Sequence, residues 1–344
     1  MNKMISSITK GPRQSNFELL RIVSMLFVLI LHADFFVNEI PTPEDYFATP
    51  VSSLTRIGIE FIAIVAVNVF ILISGWFGIR STLKGFCNFI FQCLYFYCII
   101  YVLFILSGYA DLSAGNILTI FTFGGKKEWF IKTYIGLYIL SPVLNSFVET
   151  ASRRKILVVL LSALVFEVIF GYTGLMPTLK KGYSIWAFIC LYLLARYVRL
   201  YCQDSKIHRV GGTIFISCCV INILLFVSQY YTDIHLGLTA YDNPLNIIGA
   251  LGLVLYFNSI RIRINKFINF VSASCFAAYL LHYNSLFMKI VFAPSMRTLY
   301  RDYSGIVCLI VMLSAVLVIF IAAVILDQPR KFLWRYLQNK FFVK

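Results

Sequence analysis

Long apolar runs separated by short polar stretches fill the chain. A bilayer core about 30 Å thick takes a helix of roughly 20 apolar residues to cross. On that measure the pattern predicts spanning helices at about 17–36, 57–79, 86–108, 129–149, 155–171, 184–201, 211–231, 243–260, 267–288 and 304–326. The runs at 155–171 and 243–260 are short. No internal repeat is visible. The expectation is therefore an all-α, polytopic membrane helix bundle of about ten transmembrane helices. It forms a single integral-membrane domain over 1–344, with 1–16 and 327–344 as tails. The stretch 37–56, with its prolines and acids, reads as a loop on the outer side, and a second loop, 232–242, carries Asp233, His235 and Asp242.

Composition reinforces the pattern. Of 344 residues 60% are hydrophobic and only 13% charged, against about 25% charged in soluble domains, and mean hydropathy is +0.83. Little length remains for a separate soluble domain. The N-terminal segment is polar, and the apolar run after it is full-length without a small-residue cleavage site, so no removable signal is expected. A net charge of +15 could suggest nucleic acid, but the Lys and Arg sit in short loops between apolar runs. There they orient the helices. With the N-terminus cytoplasmic, the inner segments carry more than twice as many as the outer ones, which places both termini in the cytoplasm. The nine cysteines show no CxxC pair and no metal-ligand spacing, so they read as small buried residues and no metal is expected.

Ionisable groups inside spans are costly and read as functional. In the first span Arg21 and His32 are eleven residues apart, three turns plus about 20°, on one face and about 16 Å apart along the axis. Glu18 lies one turn before Arg21, where an ion pair can form. Asp34 is rotated away. In the second span Glu60 could pair with His32 or touch water, Asn68 needs a partner near mid-bilayer, and Ser74 with Gly75 offers a close helix contact. Further along, Glu128 and Lys132 have the spacing of a surface pair, and Tyr138 fits an aromatic belt. Tyr279 and His282 share a face near the end of the chain, and Glu167 is a buried acid without a derived role. The bottom-up reading is a polar seam with arginine at its inner mouth, suited to phosphate or carboxylate, and histidine near its outer mouth, able to take a proton from a hydroxyl. Group transfer across the membrane and proton-coupled transport both fit.

These segments together resemble the acyltransferase 3 family of bacterial integral-membrane O-acyltransferases of surface glycans. Its marks here are Arg21 and His32 in NFELLRIVSMLFVLILH, NVFILISGWF at 68–77, WFIKTYIGLYILSPVLN at 129–145, and FAAYLLH at 276–282. The resemblance runs over nearly the whole chain. It implies an O-acyltransferase, most simply an O-acetyltransferase, in the bacterial inner membrane. Acyl-CoA, with acetyl-CoA foremost, would be the donor and no bound cofactor is implied; the acceptor would be a hydroxyl on an exported or lipid-linked saccharide. His32 would be the catalytic histidine, as general base or transient acyl carrier. Arg21 would bind the donor. Where many members carry an arginine pair after the second span, this chain has Arg80 and Lys84, the latter a point charge toward phosphate without the bidentate fork. Glu18, Glu60, Asn68, Ser74, Tyr138, Tyr279 and His282 would support the seam. The alternative is a glycan or metabolite transporter or flippase using the same seam. No nucleic-acid partner is expected, and oligomeric state and acceptor sugar are not legible.

Overall fold

The computed structural model describes residues 13–123, 128–232 and 234–342; the tail 1–12, Lys126, Lys127, Asp233 and Lys344 lie outside them. Among the described residues every regular element is helical. The principal helices are α1 (Ser15–Leu31), α2 (Pro50–Ala63), α3 (Ala66–Phe77), α4 (Leu83–Leu106), α5 (Trp129–Thr150), α6 (Arg153–Phe166), α7 (Ile185–Tyr201), α8 (Ser205–Ser228), α9 (Pro244–Ser259), α10 (Lys266–Ser272), α11 (Cys275–His282), α12 (Ala293–Asp302) and α13 (Gly305–Phe342).

Among the described residues seven helical stretches are long and apolar enough to cross a membrane: Ser15–Phe36, Pro50–Phe77, Leu83–Leu106, Trp129–Thr150, Arg153–Tyr172, Ser205–Tyr231 and Gly305–Phe342. The chain is a multi-pass membrane protein. Three of the ten expected crossings take other forms. Ile185–Tyr201 is 17 residues long and Pro244–Ser259 is 16, while the run near 267–288 breaks by 60° between Lys266–His282 and Ser285–Asp302.

Local sequence sets the helix ends. Thr82, Ser152 and Ser184 each accept the backbone N–H three residues on, and Asp204 and Asn243 the one two residues on, which satisfies groups the helix itself leaves open. The expected 37–56 loop is largely helical instead. Thr42 and Asp45 form a reciprocal cap for Pro43–Ala48, and Pro50, with no N–H to lose, starts α2. At the other end, helix continues through the expected 327–344 tail as far as Phe342, across Pro329. A fully buried Asp327 holds Arg330 through two bonds of 2.6 and 3.1 Å, and Arg330 in turn donates to Asn88 of α4.

The chain folds into two compact units interleaved along the sequence: 1–24, 65–80 and 136–272 in one, and 25–64, 81–135 and 273–344 in the other. In the first, α3 packs closely on α7 at Gly75, where an added Cβ would lie 2.5 Å from the Tyr192 carbonyl oxygen. In the same unit α8 and α9 meet at Gly211 and Gly252, each facing the other's carbonyl oxygen. Small residues let backbones approach where lipid provides no hydrophobic drive between helices. Pro142 in α5 cannot donate to the Tyr138 carbonyl, and the Ser141 hydroxyl takes that place at 2.8 Å. In the second unit, α11 packs on α13 and α4.

Candidate active site

The first helix is regular from Ser15 to Leu31 and then widens into a π-turn, His32–Phe36. Such turns are rare and gather at functional sites. This one is anchored within the second unit by Asp34, fully buried, whose Oδ1 accepts from Arg56 Nε of α2 at 2.7 Å. Arg56 also donates to the Glu39 carbonyl oxygen and lies over the Tyr300 ring. Glu60 is buried with Asp34 and Arg56 as charged neighbours.

At the start of that turn His32 meets His282, the last residue of α11, with Nδ1 of His32 2.7 Å from Nε2 of His282. The other nitrogen of His282, Nδ1, lies 2.6 Å from the Ala278 carbonyl oxygen. A carbonyl can only accept, so Nδ1 of His282 carries the proton. The Nε2 of a neutral His282 is then an acceptor, and His32 must donate to it from Nδ1. Its own Nε2 is left with a lone pair and no hydrogen-bond partner among the described residues. The chain of bonds therefore fixes one tautomer and one orientation, and presents a base.

Aromatic rings wall the pair. Tyr283 stacks on His32 at 4.6 Å and Phe36 lies at 5.2 Å; Phe292 and Tyr279 lie at 5.4 and 6.1 Å from His282. His282 is fully buried and His32 half-buried. The 60° break follows directly, with Asn284 capping the next turn through Leu286 and Phe287. Irregular backbone at membrane depth is tolerated where protein surrounds it. Glu128, read as a surface residue, is buried in this unit, while Lys84 is exposed.

The remaining expected residues belong to the first unit. Glu18 accepts from Arg21 at 2.5 Å and from the Ser272 hydroxyl. Asn68 donates to the Tyr241 carbonyl oxygen at 2.8 Å, and Ser74 to that of Phe70. Tyr138 donates to the Arg80 carbonyl oxygen at 3.4 Å, and the Arg80 residue is exposed. Gly171 separates two buried acids: an added Cβ there would lie 3.1 Å from carboxylate oxygens of both Glu167 and Asp242. Burial pushes the Asp242 carboxyl up to about 6, although backbone N–H groups of its own residue, Gly182 and Lys181 favour its charge. Another buried histidine, His208, escaped the sequence reading: its Nε2 lies 2.9 Å from the Cys202 carbonyl oxygen and its Nδ1 2.7 Å from the Asn258 amide. Among the described residues no three His, Cys, Asp or Glu side chains gather as a metal would need.

A lone-pair nitrogen with a fixed tautomer, in an apolar wall, can take a proton from a hydroxyl or attack a carbonyl. The family comparison fits that chemistry. The profile of the acyltransferase domain family matches residues 14–327, from before the first helix to the end of the last apolar run. No match was found among curated proteins or among solved structures. A family match over most of the chain, on a multi-pass helical protein, makes the assignment: this chain belongs to the acyltransferase 3 family.

Proposed function

We propose that the protein is an O-acetyltransferase of the bacterial inner membrane. It would move an acetyl group from acetyl-CoA to a hydroxyl of an exported or lipid-linked glycan sugar. The observation that carries the reading is the His32–His282 pair, which leaves Nε2 of His32 as a base. In the proposed step this nitrogen removes the acceptor hydroxyl proton as the oxygen attacks the thioester carbonyl, from about 3–3.5 Å. The new C–O bond forms, the C–S bond breaks, and His32 returns the proton to the departing thiolate. His282 keeps the ring oriented and accepts more strongly from the Nδ1–H of the transient imidazolium, the part a carboxylate plays in hydrolase triads. The aromatic wall keeps water away from the thioester. Arg21, Arg80 and Lys84 supply positive charge for the donor, in line with a cytoplasmic location of their helix ends. The same reading takes the ten apolar runs as ten crossings of one integral-membrane domain, with both termini in the cytoplasm.

The test is incubation of membranes holding the full chain with radiolabelled acetyl-CoA and a glycan extract. Label is expected in a base-labile ester on the saccharide. Passage of unmodified saccharide across the membrane without labelling would overturn the transferase reading in favour of transport.

A further inference from the structure

The first unit contains a cluster of arginines that the proton-transfer step does not use. Helix α3 ends at Phe77, and Gly78 turns the chain with φ +74°. The turn is locked: Ile79 N–H donates to the Tyr192 hydroxyl at 3.0 Å, that hydroxyl donates to Asn145 Oδ1 at 2.6 Å, and Asn145 donates to the Ile79 carbonyl oxygen at 2.9 Å. Arg196 of α7 comes up beneath it, and an added Cβ at Gly78 would lie 3.3 Å from its Nη1. Arg196 is only 3% exposed, and its Nε has no hydrogen-bond partner among the described residues.

One turn further on, Arg199 donates Nη1 to the Trp76 carbonyl oxygen at 2.8 Å. Its guanidinium lies 5.0 Å from the Phe77 ring centroid, and Arg21 approaches the same ring at 6.0 Å. Neither Arg196 nor Arg199 takes part in an ion pair among the described residues. The carboxylate of Glu18 is engaged by Arg21 and Ser272.

Two like charges at i,i+3 on one helix face repel, and a buried guanidinium without an anion is costly. Neither belongs in a finished interior. Both are explained by an anion that completes the site, and planar guanidinium forks fit phosphate oxygens in pairs. Arg196 faces the packed interior under the turn instead of reaching out to lipid as an interfacial arginine does.

We infer that the Gly78 corner, with Arg196 and Arg199 as its principal ligands, binds the phosphate groups of an anionic ligand. Resting on the transferase reading, that ligand is the CoA moiety of the donor. Its phosphates then engage the buried pair on α7 as well as the exposed Arg80. Phosphate could also come from an anionic lipid headgroup, and the experiment separates the two sources.

The full chain is placed in phosphatidylcholine nanodiscs, and CoA binding is measured by calorimetry and by the rise in melting temperature. Arg196→Gln and Arg199→Gln are expected to weaken CoA binding about tenfold or more each, the scale of a lost charge-assisted contact. Arg196→Lys and Arg199→Lys keep the charge and hence the fold, and should fall in between because the fork is lost. A second arm replaces part of the phosphatidylcholine with phosphatidylglycerol. If wild type ignores CoA but is stabilised by phosphatidylglycerol, and the variants lose that gain, the phosphate corner stands and the donor reading falls. Wild-type CoA affinity in all four variants, with acetyl transfer intact, would overturn the corner and leave the transferase reading standing. Wild-type protein that responds to neither phosphate source overturns the corner as well.

Discussion

The two units each bury histidine, to opposite ends. In the first unit His208 has both ring nitrogens engaged, Nε2 donating to the Cys202 carbonyl and Nδ1 accepting from the Asn258 amide. Nothing remains for chemistry, and the ring acts as a strut between the loop before α8 and the end of α9. In the second unit the histidines are joined in series. His282 is consumed by Ala278 and His32, but the series ends in a nitrogen with no partner among the described residues. A buried histidine becomes a base by being given one partner fewer than it can hold, and a second histidine suffices to decide which nitrogen is left over.

The largest expected effect comes from removing that nitrogen. His32→Ala should lower acetyl transfer by about 10³-fold or more, in the upper range for a general base, at unchanged membrane insertion; transfer at the wild-type rate would break the comparison outright. His282→Ala leaves the tautomer and ring angle of His32 unset, so kcat should fall about 10²-fold with KM for the donor unaltered. His282→Gln, whose amide oxygen can still accept from Nδ1–H, should recover part of the loss. Equal defects in the two variants would argue that His282 only fills space. Arg21→Ala should raise the KM for acetyl-CoA about tenfold, with partial rescue by Arg21→Lys, which keeps the charge toward Glu18.

His208→Ala supplies the converse. It strands a carbonyl and an amide, a cost of about 1–3 kcal/mol, so the melting temperature should drop several degrees while turnover per folded molecule holds. Loss of turnover without loss of stability would reverse the roles assigned to the two sites. The smallest effect concerns Asp242. Its carboxyl is raised to about 6, above the unfolded value. The folded state therefore binds more protons than the unfolded one between about pH 4 and 6, and the stability this contributes is present below about 4 and lost as pH climbs through 6. Asp242→Asn should gain on wild type in melting temperature as pH rises across that window. A constant difference between the two would show that Asp242 does not titrate there.

Much of this was legible in the chain. Apolar run length found the seven clear spans, and the Arg21–Glu18 spacing anticipated their ion pair, because both are local properties of one helix. Asn68 was expected to need a partner and has one in the Tyr241 carbonyl. What escaped was non-local. His32 and His282 were both noted, but 250 residues separate them, and no periodicity within a span reports which helices meet. Glu60 was read as a possible partner of His32; its charged neighbours are Asp34 and Arg56 instead. Arg196 and Arg199 were counted as orienting charges at a helix end, and a tally of charges does not distinguish a buried guanidinium from a solvated one.

The π-turn at His32–Phe36 has a further consequence. A π-turn holds one residue more than the α-turn it replaces, so its geometry is that of a single inserted residue absorbed without loss of the helix. Everything before it keeps its facing, and everything after it is rotated by about 100°. Deleting one residue within 33–36 would restore a plain helix with Val37 and Asn38 still on their present faces, while Ser15–Leu31 stayed as it is; the same number of residues in unbroken α-helix would swing them by about 100°. Substitution at any one position there cannot reproduce that change. For this stretch, length is as much a part of the sequence's information as identity, and single-residue gaps between related chains at this point should be treated as loss of the π-turn rather than as loop variation.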